Sequence, residues 1–469
     1  MNDNAWKDEK MERFITIFSL VIMILFFGFN KLAIADDDLK VTLEQAVQIA
    51  LKNNPVVLQA SENVIATQAE VTATVGDFLP TLSVNTKGYY QYDGRQNTTN
   101  LGEQLDQDYL GLDLALTANL TVFDGLSNLA SMKGARLEKN AAESSKSWTK
   151  QSLAYEVATR YFMVARSREL VFLEEKNLEQ NKLQLDKIES YFNSGKVPLT
   201  DLYQQKAEMS KSNKQLLEAK NTLQINRLYL IQILGLSKYT SVAIAESGTA
   251  LDSFLPTQSF TFKNSLEEAM VNRDDLKTQD YITKAQSAYV TKAYSGYWPK
   301  VDLFGSISSG FNTMDSETSY SDQFSKDQLV GVVGINLTIP IFDGLDTYTS
   351  TTKAKTQQLI ANLETLRMKQ QVQVDLGEAI ENYKTAIEQV EVAEMQVEAS
   401  ELVLEAMKER YGVGASSFLE LVSARTNYLA ANYDRVDASY TRIEKWLAVA
   451  YQKGTLMNAL NLLYEGERK

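Results

Sequence analysis

From Asp108 to Gly125 the chain reads DYLGLDLALTANLTVFDG, and apolar residues take every second position. Leu110, Leu112, Leu114, Leu116, Ala118, Leu120 and Val122 form one row; Gly111, Asp113, Ala115, Thr117, Asn119 and Thr121 form the other. Successive side chains of a strand point to opposite faces. The stretch therefore predicts a strand with one aliphatic face and one small or polar face. The pattern returns 219 residues later in Asp327 to Gly344, where Leu329, Val333, Ile335, Leu337, Ile339 and Ile341 fall on equivalent positions and only Gly331 interrupts the row. Both copies end in Phe-Asp-Gly-Leu, at 123–126 and 342–345. Alternation most often marks a half-buried strand of a soluble sandwich. Here the apolar row is about 13 residues long, against about 5–6 for an ordinary strand. Its opposite face suits a water-filled lumen.

The surroundings read as long helix. Thr42-x-x-Gln45 is a capping box and Asn54-Pro55 punctuates the helix it opens, which resumes and ends near Gly76 before Phe78-Leu79-Pro80. Thr81 to Tyr92 alternates as a strand, and a polar loop over 93–108 precedes the strand described above. From Leu126 to about Ser194 there is no Pro, and Val157, Val164, Val171, Leu178, Leu185 and Phe192 recur every seventh residue. That period marks coiled-coil-like packing, and a helix this long would reach roughly 100 Å at about 1.5 Å per residue. Asn193-Ser194-Gly195 caps it, Pro198 helps start a return helix to Gly235, and a mixed segment spans 236–262.

The whole arrangement then repeats at the same offset. Leu266 to Tyr294 is expected as helix, with Asn272-Arg273-Asp274-Asp275 matching Asn53-Asn54-Pro55-Val56. Tyr297-Trp298-Pro299 matches Phe78-Leu79-Pro80; Val301, Leu303, Ile307 and Phe311 restore the alternating face; a polar loop covers 312–327. Leu376, Tyr383, Val390, Val397, Leu404 and Tyr411 take the six heptad positions, and Gly414, Glu420 and Gly454 match Gly195, Asp201 and Gly235. A single offset shared by so many features implies duplication. The expected division is a signal peptide at 1–35, a first repeat at 36–255, and a second repeat with a C-terminal tail at 256–469.

Composition narrows the chemistry. The 469 residues include no Cys and no His, and the formal charge is −13. The first absence excludes disulfides, thiolate metal sites and a cysteine-linked lipid anchor. The second removes the commonest general base and metal ligand. The acidity argues against nucleic acid as a partner and fits a surface that attracts cations. No phosphate loop or metal-ligand cluster appears, and scattered Asp/Glu pairs on long helices belong to solvated faces. No catalytic residue, metal site or cofactor is expected. Residues 1–35 carry Lys7, Lys10 and Arg13, an apolar run from Phe14 to Phe29 and an Ala33-Ile34-Ala35 site before three Asp residues, which reads as a secretory signal with a mature start at Asp36. An uncleaved inner-membrane anchor is the alternative.

Four strands cannot close a barrel, and an unpaired strand edge in hydrocarbon costs several kcal/mol per backbone group. Since bacterial barrels begin at about 8 strands, the chain must oligomerise. Phe78, Phe123, Tyr297, Trp298 and Phe342 collect at one set of strand ends, as an interfacial girdle would, or as ordinary packing at helix–strand junctions. Phe304, Val330 and Val332 depart from the pattern by pointing to the lumen side.

This organisation resembles the TolC-like outer-membrane efflux and secretion proteins, the outer membrane factor family, over residues 41 to about 455. The resemblance rests on Thr42-Leu43-Glu44-Gln45-Ala46, Asn54-Pro55, Phe78-Leu79-Pro80, the two Phe-Asp-Gly turns, and the helix tips Phe192 to Leu202 and Tyr411 to Leu421. It implies an α+β membrane protein: a homotrimer with a 12-stranded barrel, four strands per chain, continued by a periplasmic α-helical barrel. The function implied is the outer membrane duct of a tripartite efflux or type I secretion system, embedded in outer membrane lipid. The partners implied are a periplasmic adaptor (membrane fusion) protein and an inner-membrane transporter. By the same resemblance, Asp201 and Tyr411 link neighbouring hairpins in the closed state, Glu420 forms a constriction ring, and Gly195 and Gly414 meet the adaptor. Two positions depart from the pattern: Ser416 stands for a basic residue of the closing network, and Ser423 for a second acidic ring. Simpler readings stay open. Asp201 and Glu420 suit the first turn of any helix, Tyr411 suits a heptad core, and the glycines suit helix C-caps. A periplasmic coiled-coil adaptor or a structural surface protein is the competing function. The transported substrate is not written in the chain.

Overall fold

A computed structural model describes residues 39–92, 108–236, 242–244, 259–314, 319–324 and 329–467. The expected signal peptide, the 93–108 loop and much of the 236–262 and 312–327 segments lie outside the described residues.

The first half runs β1 (Leu39–Val41), α1 (Leu43–Asn53), α2 (Pro55–Gly76), β2 (Thr81–Gln91), β3 (Tyr109–Phe123), α3 (Ser127–Asn193), α4 (Leu199–Ile233) and β4 (Val242–Ile244). The second runs α5 (Phe262–Asn272), α6 (Asp274–Tyr294), β5 (Lys300–Asn312), β6 (Val330–Thr338), α7 (Asp346–Gly412), α8 (Phe418–Gln452) and α9 (Leu456–Glu467). Adding 219 to α1, α3 and α4 reproduces α5, α7 and α8 to the residue.

Local chemistry accounts for the boundaries. Thr42 Oγ1 accepts from Gln45 N at 3.3 Å while Gln45 Oε1 accepts from Thr42 N at 3.1 Å, so the capping box forms. Asn54 Oδ1 accepts from Val56 N at 2.9 Å and Pro55 occupies the first helical position, where a missing N–H costs nothing. The expected single helix over 266–294 is two helices. Arg273 breaks it at ψ 115°, the counterpart of Asn54. The two residues do one job with different groups: Asn54 Nδ2 donates to Ile233 O at 2.8 Å, and Arg273 Nη1 donates to Gln452 O at 3.3 Å.

Each Phe-Asp-Gly-Leu turn redirects the chain from strand to long helix. Asp124 Oδ2 accepts from Asn128 N at 2.7 Å and Asp343 Oδ2 from Thr347 N at 2.8 Å, capping α3 and α7. The following Gly and Leu both take positive φ, near 70°. Glycine does this freely; leucine is strained there. A Cβ on Gly125 would also lie 2.7 Å from Ser295 O, so that glycine is required twice over.

The sheet is antiparallel in the order β2-β3-β5-β6, leaving β2 and β6 as edges among the described residues. Leu116 faces Val84 on one side and Ile307 on the other, and Leu303 faces Ile335. The aliphatic residues of the four strands therefore share one face, apart from Val330 and Val332, which lie opposite Ser308 and Ser306 on the other. The other face joins Ser83 to Thr117 at 2.7 Å and carries Tyr89 laid over Gly111 and Phe304 laid over Gly334. These rings fill the space that the glycines leave open, which explains the aromatic exception on the polar side. β6 ends at Thr338, opposite Lys300, the first residue of β5, and Pro340 follows two residues later.

The long helices run about 100 Å each, 67 residues at about 1.5 Å. Val157, Val164, Val171, Leu178, Leu376, Tyr383, Val390 and Leu404 are buried as the heptads predict, with Leu185, Phe192, Val397 and Tyr411 half-buried. Midway along, β1 pairs with β4 in parallel. With α1, α5 and α9 this ribbon thickens the body into its main core, where Val41, Tyr161, Leu230, Trp446 and Leu460 are buried together.

Candidate functional site

The expected site residues fall at three places. Phe78, Phe123, Tyr297, Trp298 and Phe342 lie at the helix-side end of the strands, and all five are exposed. Gly195, Asp201, Tyr411, Gly414 and Glu420 lie at the far ends of the helix pairs.

Both tips are Schellman turns. Gly195 N donates to Phe192 O at 2.9 Å and Lys196 N to Tyr191 O at 2.9 Å; Gly414 N donates to Tyr411 O and Ala415 N to Arg410 O. Gly195 and Gly414 have φ of 72° and 76°, and a Cβ on either would meet nothing. The backbone conformation alone requires glycine at both tips.

Asp201 and Tyr411 come from different repeats and meet. Tyr411 Oη lies 3.5 Å from Asp201 Oδ2, long for an O–H···O bond. The Tyr411 ring is held by Phe418, centroids 5.9 Å apart, and borders both tip cores, one around Ile188 and Leu202, the other around Leu404 and Leu421. Burial first, then the Asp201 charge and hydrogen bond, push the phenol up to about 12. Glu420 does not join this pair. It completes a capping box at the start of α8, where its Oε2 accepts from Ser417 N at 2.7 Å and from Ser417 Oγ at 3.1 Å. Those bonds hold its carboxyl below the usual range, with a smaller contribution from Arg410. The cap leaves the charge exposed, so capping and a charged ring are compatible. Ser416 Oγ has no partner among the described residues, and Ser423 is exposed.

Sequence reasoning missed a buried polar ladder farther from the tips. Glu174 is 2% exposed. The Tyr433 hydroxyl donates to its Oε1 and Asn177 Nδ2 to its Oε2. Asn177 and Asn181 both donate to Ser212 Oγ, and Gln205 Nε2 donates to Asn181 O at 2.9 Å. Arg425 Nη1 donates to Asn181 Oδ1 at 2.9 Å. Burial lowers the Arg425 pKa, opposed by Glu208, and burial first, then the bond to Glu174, raises that of Tyr433. The ladder joins α3 and α4 of the first repeat to α8 of the second. Its signal was the spacing Glu174, Asn177, Asn181 along the buried side of α3. The matching positions of the second repeat are Ala393, Gln396 and Ser400, so only the first helix pair carries it.

Residues 46–236 and 265–452 match the family described as Outer membrane efflux protein. The chain is 23% identical over 415 residues to the outer membrane protein TolC of Vibrio cholerae serotype O1, covering 87% of this chain and 89% of that protein. Its fold is similar to that of CusC, in structures concerned with folding and transmembrane channel formation: TM-score 0.78, 17% identity, 89% of this chain and 93% of that chain. The CmeC outer membrane channel of Campylobacter jejuni is similar at a TM-score of 0.76 and 18% identity, covering 90% of this chain and 89% of that chain. At such identities the likeness of the structures establishes the fold.

Proposed function

The chain belongs to the outer membrane efflux protein family, and from that premise we propose that it is the outer membrane duct of a tripartite efflux or type I secretion system. Three chains close a 12-stranded barrel in outer membrane lipid. Their helices form a tube through the periplasm, which a periplasmic adaptor joins to an inner-membrane transporter. Solutes pass without chemical change, so the duct needs no cofactor. The observation that carries this reading is the joining, through two Phe-Asp-Gly turns, of a sheet with one aliphatic face and two unpaired edges to helices of 67 residues. A coiled-coil adaptor has no use for such a sheet. The signal at 1–35 and the division at 255/256 belong to the same reading, and the family match in two segments supports the division.

The gate sits at the helix tips. Tyr411 on Asp201 holds adjacent helix pairs together, and Glu420, repeated by symmetry, forms a ring of three carboxylates that favours cations. Arg425 on Asn181 and Tyr433 on Glu174 tie the same helix pairs above the tips, which compensates for Ser416. Gly195 and Gly414 present the tip surface to the adaptor.

The test is fractionation followed by planar-bilayer recording. The expected result is a trimer in the outer membrane fraction that conducts poorly at rest, with cation preference. A monomer in the periplasmic fraction would instead favour the adaptor reading.

A further inference from the structure

We propose that the groove between α3, α7 and α8 binds a small amphipathic carboxylate, and that the bound anion clamps the two helix pairs together. The site stands on its own geometry; the clamp rests on the gated duct proposed above.

The two helix pairs treat one matched position in opposite ways. In the first pair, Lys206 on α4 meets Glu189 on α3, Nζ to Oε1 3.2 Å. The offset of 219 puts Arg425 on α8 and Lys408 on α7 there. An ion pair of the first repeat has become two cations in the second. Neither finds an acid partner elsewhere among the described residues. Lys408 is exposed and unpaired. Arg425 is half-buried, and its Nη1 donates to Asn181 Oδ1, a neutral group. Glu208 on α4 acts on it from beyond ion-pair distance and lies 3.9 Å from Lys211. A guanidinium drawn partly out of water without a carboxylate is uncompensated, and its planar fork matches one.

Both cations line a groove of about 400 Å³, within the range of small-ligand sites. Each of the three helices contributes residues i, i+3, i+4 and i+7, a length of about 10 Å. That is one face two turns long, too short for a docked helix and suited to a small molecule. Arg425 and Lys408 stand at its end nearer the tips. Along the rest lie Leu404, 5% exposed, and half-buried Leu173, Tyr428 and Leu429. An anionic head with an apolar body covers both parts. Glu401 and Glu405 on the α7 wall restrict the head to a single negative charge, since a dianion is repelled more by each. The third cation of the lining, Lys176, is already 3.0 Å from Glu179.

α3 belongs to one helix pair, and α7 and α8 to the other. An occupant that touches all three binds the joined arrangement and not a separated one, so it shifts the population toward the joined state.

The probe is 2-naphthoate, with 2-naphthylmethylammonium as its cationic counterpart. Equilibrium dialysis of the purified full-length protein in lipid nanodiscs, against empty nanodiscs, should show one saturable naphthoate site per chain for which the ammonium does not compete. Arg425→Gln should weaken binding at least about tenfold, the loss of a charge-assisted bond. Lys408→Gln should weaken it about threefold and Glu405→Gln should tighten it about threefold. The last two change exposed residues, so their opposite shifts keep the test decisive even if Arg425→Gln loosens the fold. No saturable binding, or equal affinity in Lys408→Gln and Glu405→Gln, overturns the site. For the clamp, the Tyr411→Phe, Asp201→Ala protein in planar bilayers should lose conductance about threefold when saturated with naphthoate, and adding Arg425→Gln should abolish the loss. Binding without that loss removes the clamp and leaves the site. A protein that binds naphthoate yet forms no channel, even without the tip link, counts against the duct instead.

Discussion

Tyr411→Phe combined with Asp201→Ala isolates the link between helix pairs without disturbing its frame. Phenylalanine keeps the ring against Phe418, whose centroid lies 5.9 Å away, and removes only the hydroxyl. A hydrogen bond to a charged group contributes about 1.5–3 kcal/mol at good geometry. At 3.5 Å and a half-exposed site, the link is discounted to about 0.5–1 kcal/mol. Three symmetric links then favour the closed tip by about 1.5–3 kcal/mol. Since about 1.4 kcal/mol is a factor of ten, their removal should raise the open fraction about ten- to hundredfold. Planar-bilayer recording of the purified trimer reads this as higher resting conductance with unchanged trimer stability. Conductance equal to that of the unaltered protein would refute the link, and with it the role given to both residues.

The same phenol predicts a pH effect. Its pKa is raised to about 12 from an ordinary value of 10, so its contribution to closure is full below 10 and is lost as pH rises toward 12; conductance should climb in that window and the Tyr411→Phe protein should lack the climb. Glu420→Gln retains a side chain suited to the capping box while removing the charge, so cation selectivity should fall with no change in thermal dissociation; a loss of stability alone would leave Glu420 as a cap. Leu114→Arg or Ile335→Arg should block insertion into outer membrane, because a cation on the lipid face costs about 2–4 kcal/mol at mid-bilayer, whereas Thr117→Arg should insert; equal damage would reverse the assigned faces. Tyr433→Phe removes a donor from buried Glu174 and should destabilise the trimer by about 1–3 kcal/mol per chain, read as a lower dissociation temperature; no shift would show that water replaces the hydroxyl.

Periodicity and capping chemistry carried most of the fold. The heptad rows located the buried side of both long helices, because a seven-residue apolar repeat has no other stable use in a helix this long. The offset of 219 located each element's twin, and it would also have located the break at Arg273 had the match to Asn54 been followed through. Other features depend on partners distant in sequence. β1 and β4 have three residues each, too few for a pattern to emerge, and they exist because each gives the other a ladder. The meeting of Tyr411 with Asp201 needed the topology, since residues 210 positions apart leave no joint trace in either helix. The polar ladder was visible as spacing but not as structure, because the same spacing on a solvated face would mean nothing. The capping role of Glu420 was readable from Ser417 three residues before it.

The open edges of β2 and β6 also set how the protein must reach its place. A lone chain exposes two rows of unpaired backbone groups, each group costing several kcal/mol in hydrocarbon, so a single sheet has no stable position in a bilayer. In the trimeric duct proposed above, insertion and ring closure must then occur together, at a rate that depends steeply on how many chains arrive at one spot. It follows that a defective chain is more harmful than an absent one. A variant that folds its helices but carries a broken strand edge still joins rings and spoils each ring it joins. If such chains make up half the supply and mix freely, about one ring in eight escapes them.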